Sequence, residues 1–143
     1  MPRLLLATDG SDCALRAARK LVETAVLFKT PPEVLLLTVH LPVHRFPHMG
    51  VVVSEKMLHD FYEEECTEAL RAAASVLDAS SIRYRAVWRV GAIAETIVEQ
   101  AAADSSDFIY MGRHGGGALS TLLVGSVVAK VLHLATGPVI IVP

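Results

Sequence analysis

The chain has 143 residues, 52% of them hydrophobic and 20% charged, and a formal net charge of −2. That length holds one domain with a sizeable core, and the composition excludes intrinsic disorder. The small negative charge leaves no electrostatic basis for binding nucleic acid or an anionic membrane, so a polyanionic ligand has to be held by local donors.

Arg3 to Ala7 is a short, continuous apolar run, as expected of a strand covered on both faces. Thr8-Asp9-Gly10-Ser11 stops it, and Ser11 is suited to cap a helix. Leu15, Ala18, Leu21, Val22 and Ala25 follow at helical spacing, with Arg16, Arg19, Lys20 and Glu23 off that face; Thr30-Pro31-Pro32 is read as the end of the helix. Val34 to Val39 is a second buried strand. Leu4-Leu5-Leu6-Ala7 is too short for a signal peptide and no run reaches membrane-spanning length, so a cytoplasmic protein is expected.

His40 to Val53 is irregular, because Pro42 and Pro47 forbid a helix through it. His40, His44 and His48 would share a face only on a helix, so a solvated histidine-rich loop is expected and no metal site. Ser54 then caps a long helix to about Ala79, whose stripe is Leu58, Phe61, Tyr62, Cys66, Ala69, Leu70, Ala73 and Leu77; Glu63, Glu64 and Glu65 read as solvated. Tyr84 to Val90 carries strand-favouring residues, Gly91 breaks it, and Ile93, Ile97, Val98 and Ala101 mark a third helix. Asp107 to Met111, a helix from Gly125 to Ala135, and Val139 to Val142 complete the series. Cys13 and Cys66 fall in separate helices and form no C-x-x-C, which predicts buried, reduced thiols.

The pattern is β-α-β-α-β-α-β-α-β, with no linker, internal repeat or low-complexity segment, and predicts one domain over residues 1–143. Right-handed crossovers require a parallel sheet with helices on both faces, whose ligands sit beyond the carboxyl ends of the strands where strand order reverses. Those ends carry Thr8-Asp9, Thr38-Val39-His40 and Met111-Gly112. Asp9 is the one carboxylate placed there, suited equally to capping the first helix and to touching a ligand.

After the fourth strand comes Gly112-Arg113-His114-Gly115, nine residues, then Gly125-Ser126. A strand emptying into a glycine-bearing loop that opens a helix suits a phosphate, since helix N-termini carry free N–H groups and a positive dipole end. Gly112, Gly115 and Gly125 allow backbone to approach a ligand, and Ser126 adds a hydroxyl. An ordinary glycine turn before a helix fits the same spacing. No G-x-x-x-x-G-K-[ST] occurs, nor a G-x-G-x-x-G after the first strand, which excludes those two phosphate loops.

Taken together, Leu5-Leu6-Ala7-Thr8-Asp9-Gly10-Ser11, Val90 to Ile97, and Met111-Gly112 through Gly125-Ser126-Val127 to Gly137-Pro138-Val139-Ile140-Ile141-Val142 resemble the universal stress protein family over essentially the whole length. The G-2x-G-9x-G-[ST] spacing is met without insertion. The resemblance implies an open, doubly wound five-stranded parallel sheet flanked by four helices, Rossmann-like in the manner of the adenine nucleotide alpha hydrolases, with strand order 3-2-1-4-5. It also implies ATP as ligand, with or without Mg, and a homodimer through the last strand. By position, Ala7, Asp9 and Val39 would line adenine and ribose, Met111 and Gly112 the ribose side, and Gly115, Gly125, Ser126 and Val127 the phosphates. Arg113 departs from the Ser or Thr common there.

The leading expectation is a nucleotide-responsive regulatory dimer, with at most slow ATP hydrolysis, since the loop offers no evident general base or acid pair. A dimeric interaction module of the same fold with an unused cleft is the alternative. A phosphorelay receiver is disfavoured, because Val90-Gly91 and Val142-Pro143 supply neither its acceptor aspartate nor its lysine.

Overall fold

The computed structural model describes residues 1–44, 53–114 and 124–143. In chain order these form β1 (Arg3–Ala7), α1 (Asp12–Thr24), β2 (Glu33–His40), α2 (Glu55–Asp78), β3 (Arg83–Val90), α3 (Ile93–Asp104), β4 (Phe108–Gly112), α4 (Ser126–Leu134) and β5 (Val139–Val142). All strand pairs are parallel, and the order across the sheet is β3-β2-β1-β4-β5. The chain therefore winds outward from β1 to β3, returns, and leaves on the other side through β4 and β5. The reversal falls between β1 and β4.

Strand alternation explains the two-sided core. Leu4 and Leu6 of β1 face Ala17, Ala18 and Leu21 of α1 and Leu70, Ala73 and Leu77 of α2. Leu5 and Ala7 face Ala94, Ile97 and Ala101 of α3 and Val128 and Val131 of α4. Successive side chains of one strand thus end in opposite cores, which is why β1 carries no polar residue after Arg3. Leu4, Leu5 and Leu6 are each fully buried, and such burial stabilises by about 1.5–3 kcal/mol per side chain.

Several boundaries differ from the periodicity. Helix α1 ends at Thr24 and passes into a 3₁₀ turn, Ala25–Leu27, well before Thr30-Pro31-Pro32. The Thr24 hydroxyl bonds back to the carbonyls of Lys20 (2.9 Å) and Leu21 (3.2 Å) and meets the Tyr110 hydroxyl at 3.0 Å, a local alternative to continuing the helix. The buried face of α1 is Cys13, Ala14, Ala17, Ala18 and Leu21, with Leu15, Val22 and Ala25 only half-buried. Ser54 does cap α2, accepting from the Met57 amide at 3.1 Å. Phe61, expected in its stripe, is 42% exposed. A helix of 24 residues runs about 36 Å, whereas the eight residues of β2 span only about 26 Å. The helix overhangs the sheet, and Phe61 lies at the rim, its ring 5.8 Å from those of His40 and Tyr62. His40 itself is the last residue of β2; His48 lies outside the described residues. Among the described residues no group of three His, Cys, Asp or Glu side chains is placed to hold a metal, and none of the helices is long and apolar enough to cross a membrane. Cys13 and Cys66 are buried and unbridged.

At the amino-terminal end of the sheet, Asp104 ties three elements together. Its carboxylate receives Arg3 (2.7 Å), Ser106 (3.0 Å) and a close bond from Arg85. Burial pushes this carboxyl up, but the hydrogen bonds from Arg3, Arg85 and Ser106 outweigh it and hold the group below the usual carboxylate range. The starts of β1 and β3 are thereby fastened to the end of α3, far from the strand ends that carry the candidate site.

Candidate functional site

Beyond the carboxyl ends of β1, β2 and β4, at the reversal of strand order, lies a cleft of about 400 Å³. That is within the range of small-molecule sites, and the position is where open α/β sheets take ligands. Its walls are mostly apolar: Ala7 from β1, Leu37 and Val39 from β2, Met111 from β4, Ile93 and Ile97 from α3, and Val127 and Val128 from α4. Among the described residues its polar groups are Thr8, Asp9, His114 and Ser126 together with the main chain at Gly112 and Gly125. Every candidate named from the sequence lines this cleft except Gly115, which lies outside the described residues. Thr8, Ala14, Leu37, Ile93, Ile97, His114, Val124 and Val128 join them. Ile93 and Ile97 read in the sequence as ordinary core at helical spacing; only the topology shows that this face also forms a ligand-sized wall.

The turn after β1 is built to close on itself. Gly10 takes φ +83°, a conformation that costs glycine little and other residues more. Its amide donates to the Thr8 hydroxyl at 3.2 Å, and the Ser11 amide donates to Asp9 Oδ1 at 2.9 Å. Ser11 Oγ in turn accepts from the Ala14 amide at 3.2 Å, capping α1. Asp9 therefore has a structural role, holding the capping residue, while also standing on the cleft.

Helices α3 and α4 both begin without a side-chain cap, α3 at Ala92 and α4 at Gly125. Gly125 brings no side chain to accept from the first turn. The amides of Ser126, Val127 and Val128 open on the cleft without the side-chain cap that Ser11 and Ser54 provide elsewhere. Gly125 is held in place by donating its amide to Arg113 O at 2.8 Å. The Lys130 ammonium pairs with the Glu95 carboxylate, joining α4 to α3 and holding that carboxyl below its usual range.

Gly112 ends β4 under a tight constraint. A Cβ there would lie 2.8 Å from the carbonyl carbon and oxygen of Cys13 and 2.9 Å from its sulfur. The requirement comes from α1 packing behind the strand. Among the described residues, the Nε atom of Arg113 and Nε2 of His114 are buried and find no hydrogen-bond partner.

Taken as chemistry, the cleft offers an apolar slot suited to a flat ring at one end and uncapped helix amides suited to an anion at the other. Asp9 is its one carboxylate and His114 its one imidazole among the described lining residues.

Comparison with known proteins gives a consistent result. The model of the universal stress protein family matches residues 1–143. A universal stress protein of Thermus aquaticus is 34% identical over 139 residues, covering 97% of this chain and 96% of its own. Among solved structures, a universal stress protein in complex with cAMP superposes with a TM-score of 0.64 at 22% identity, covering 99% of this chain and 95% of its own. A family protein from Arabidopsis thaliana with AMP bound gives 0.66 at 17%, covering 99% and 91%. On the family match and the Thermus relative, with the strand order agreeing, the chain belongs to the universal stress protein family.

Proposed function

We propose that the cleft binds an adenine nucleotide, ATP foremost, and that its occupancy regulates a homodimer formed through β5. The observation that carries this is the uncapped amino terminus of α4 opening on an apolar cleft at the reversal of strand order. A purine ring is flat and apolar on both faces, and the walls of Ala7, Val39 and Met111 suit it; Asp9 accepts from ribose hydroxyls. The amides at Ser126 and Val127 and the Ser126 hydroxyl take the phosphates, with Gly115 and Gly125 letting the backbone come close, while Gly112 beside them is kept small by its contact with Cys13. The relatives with AMP and cAMP support an adenine nucleotide as the ligand class. Mg would have Asp9 as its one carboxylate in the cleft, so it is proposed at most as a companion of the phosphates. Hydrolysis, if measured, is expected to be slow, because among the described residues the cleft brings no carboxylate pair together. Residues 1–143 act as one domain in this reading.

The dimer follows from the edge. Among the described residues β5 pairs only with β4, and its outer main-chain groups invite a second strand. Ile140 packs on one core and Ile141 on the other, so a paired twin would extend both.

Mass spectrometry of small molecules released from the denatured protein, with thermal melts in ATP, AMP and cAMP, tests the proposal. A ligand at 100 times its dissociation constant stabilises by about 2.7 kcal/mol, so saturating ATP is expected to raise the melting temperature clearly. Absence of released nucleotide together with unchanged melts in all three would leave the dimeric interaction module as the better account.

A further inference from the structure

Behind the cleft wall, Cys13 sits where three segments meet. It is the second residue of α1 and 6% exposed. Its thiol donates to Val142 O, with sulfur and oxygen 3.7 Å apart, and its sulfur accepts from the His114 amide at 3.4 Å. The same Val142 oxygen accepts from the Arg113 amide at 2.8 Å. Two consecutive amides leaving β4 thus end on one carbonyl of β5 and one side chain of α1. The residue before them, Gly112, is pressed against Cys13 closely enough to exclude a Cβ. The registration then passes onward, since Arg113 O accepts the amide of Gly125, the N-cap of α4.

We propose that Cys13 is a positioning residue for ligand binding. Its thiol sets the exit of β4 in register with the end of β5, and through Arg113 it sets where the uncapped amides of α4 stand. This rests on the nucleotide reading of the cleft. Sulfur suits the place physically: it is a weak donor and a weak acceptor with long reach, and it fills apolar volume as well. A hydroxyl keeps both hydrogen-bonding capacities on a shorter bond, and a methyl group keeps neither. The main-chain anchor is Val142, in the strand proposed to pair with a second copy. Besides the β4–β5 ladder, the Val142 carbonyl oxygen thus gives the β5 edge and the cleft a shared contact.

A role in packing and a role in positioning predict opposite rankings. If Cys13 only fills space, Cys13→Ala is milder than Cys13→Ser, which buries a hydroxyl. If the thiol holds the loop, Cys13→Ser retains more function than Cys13→Ala. The experiment is titration calorimetry with ATP on the parent and both variants, alongside hydrogen exchange of the Arg113, His114 and Gly125 amides without ligand. Cys13→Ala is expected to weaken ATP binding roughly fivefold to tenfold, the loss of about one hydrogen bond, and to speed exchange at His114 and Gly125. Cys13→Ser is expected to fall between Ala and parent on both measures. Parent-like affinity in Cys13→Ala, or weaker binding in Cys13→Ser than in Cys13→Ala, overturns the proposal. Should the parent itself bind no nucleotide, the ligand reading fails first, and the exchange data still judge the joint: unchanged protection at Gly125 in Cys13→Ala refutes it, faster exchange upholds it. If Cys13→Ala does not fold, the Cys13→Ser comparison with the parent carries the same two readouts.

Discussion

Gly125 donates its amide to Arg113 O across 2.8 Å, and this bond holds the start of α4 against the exit of β4. A glycine N-cap leaves the first-turn amides without the serine that closes α1 and α2. The helix is thus fixed in position while its positive end stays available, the combination an anion site needs.

Asp9 and Ser126 stand on the same cleft but have different structural duties, and substitution should separate them. The Asp9 carboxylate accepts from the Ser11 amide, so Asp9→Ala is expected to cost about 0.5–1.5 kcal/mol without any ligand. It should weaken the response to ATP as well. Ser126 is the first residue of α4 and not its cap, so Ser126→Ala should leave the free protein unchanged. Its stabilisation by ATP should fall by roughly 0.5–1.5 kcal/mol, more if the lost partner is a charged phosphate oxygen. Urea denaturation with and without ATP measures both; a Ser126→Ala variant that loses stability only in the absence of ligand contradicts the assignment.

Acid stability is expected to depend on Asp104. Its pKa is lowered in the folded state, so the stabilisation is present above the unfolded value, about 3.9 for an aspartate, and is lost as pH falls through the folded value. Asp104→Asn should therefore be less stable at pH 7, and its deficit should shrink on titrating from about pH 5 downward. Hydrogen bonds to charged groups are worth about 1.5–3 kcal/mol, which sets the scale at neutral pH, reduced because the side chains of Arg3 and Arg85 are 40% and 56% exposed. A deficit that stays constant from pH 7 to pH 2 would show that the carboxylate's charge is immaterial.

The β5 edge gives a prediction about assembly. Pro138 O and Val142 O both accept amides at the β4 side, from Ile109 and Arg113. By the alternation of a parallel ladder, the main-chain groups of Val139 and Ile141 face outward. Ile141→Pro removes an outward donor and leaves the inward ladder, so it should convert a dimer to monomer with the fold retained. Deleting Val139 to Pro143 is harsher, since it also removes the acceptor of Arg113 and Cys13, and should give monomer or aggregate. A deletion variant that remains dimeric in light scattering excludes this interface.

His40, His44 and His48 are expected to ignore zinc. His40 Nδ1 lies 2.7 Å from Leu41 O, and its Nε2 stands 4.0 Å from a Glu65 carboxylate oxygen. Equimolar Zn²⁺ should leave the melting temperature unchanged, and tight stoichiometric binding in calorimetry would overturn this expectation.

Much of this architecture is written locally. The uninterrupted apolar run at Leu4 to Ala7 means a strand buried twice, and Ser11 and Ser54 announce helices through cap chemistry that depends on nearest neighbours alone. What was not legible is what depends on reach and contact between distant segments. Phe61 keeps the helical spacing of its stripe, but α2 overshoots the sheet and leaves it at the rim. At Thr24, the last residue of α1, the hydroxyl bonds back to carbonyls one turn earlier, a contact that periodicity does not register. In the cleft, Asp9 and the loop glycines stood out by residue type. Ile93 and Ile97 did not, since an isoleucine lining a ligand slot has the same sequence signature as one in a core.

The glycines of the loop permit the decisive pair of substitutions. A Cβ on Gly112 would sit 2.8 Å from main-chain atoms of Cys13, so Gly112→Ala must drive β4 and α1 apart. Overpacking of this kind typically costs about 1–3 kcal/mol, and the free protein is expected to melt lower even before nucleotide is added. Gly115 lies outside the described residues, and its expected effect comes from the ligand side instead. Gly115→Val places an isopropyl group where phosphates are proposed to pass, and a β-branched side chain also narrows the backbone freedom that a glycine has. The expectation is a folded protein whose melting temperature no longer rises with ATP. The two variants thus fail differently, one in the absence of ligand and one only in its presence. A Gly115→Val protein that folds and binds ATP as the parent does means that this loop is not the phosphate site, and the nucleotide reading then loses its main support.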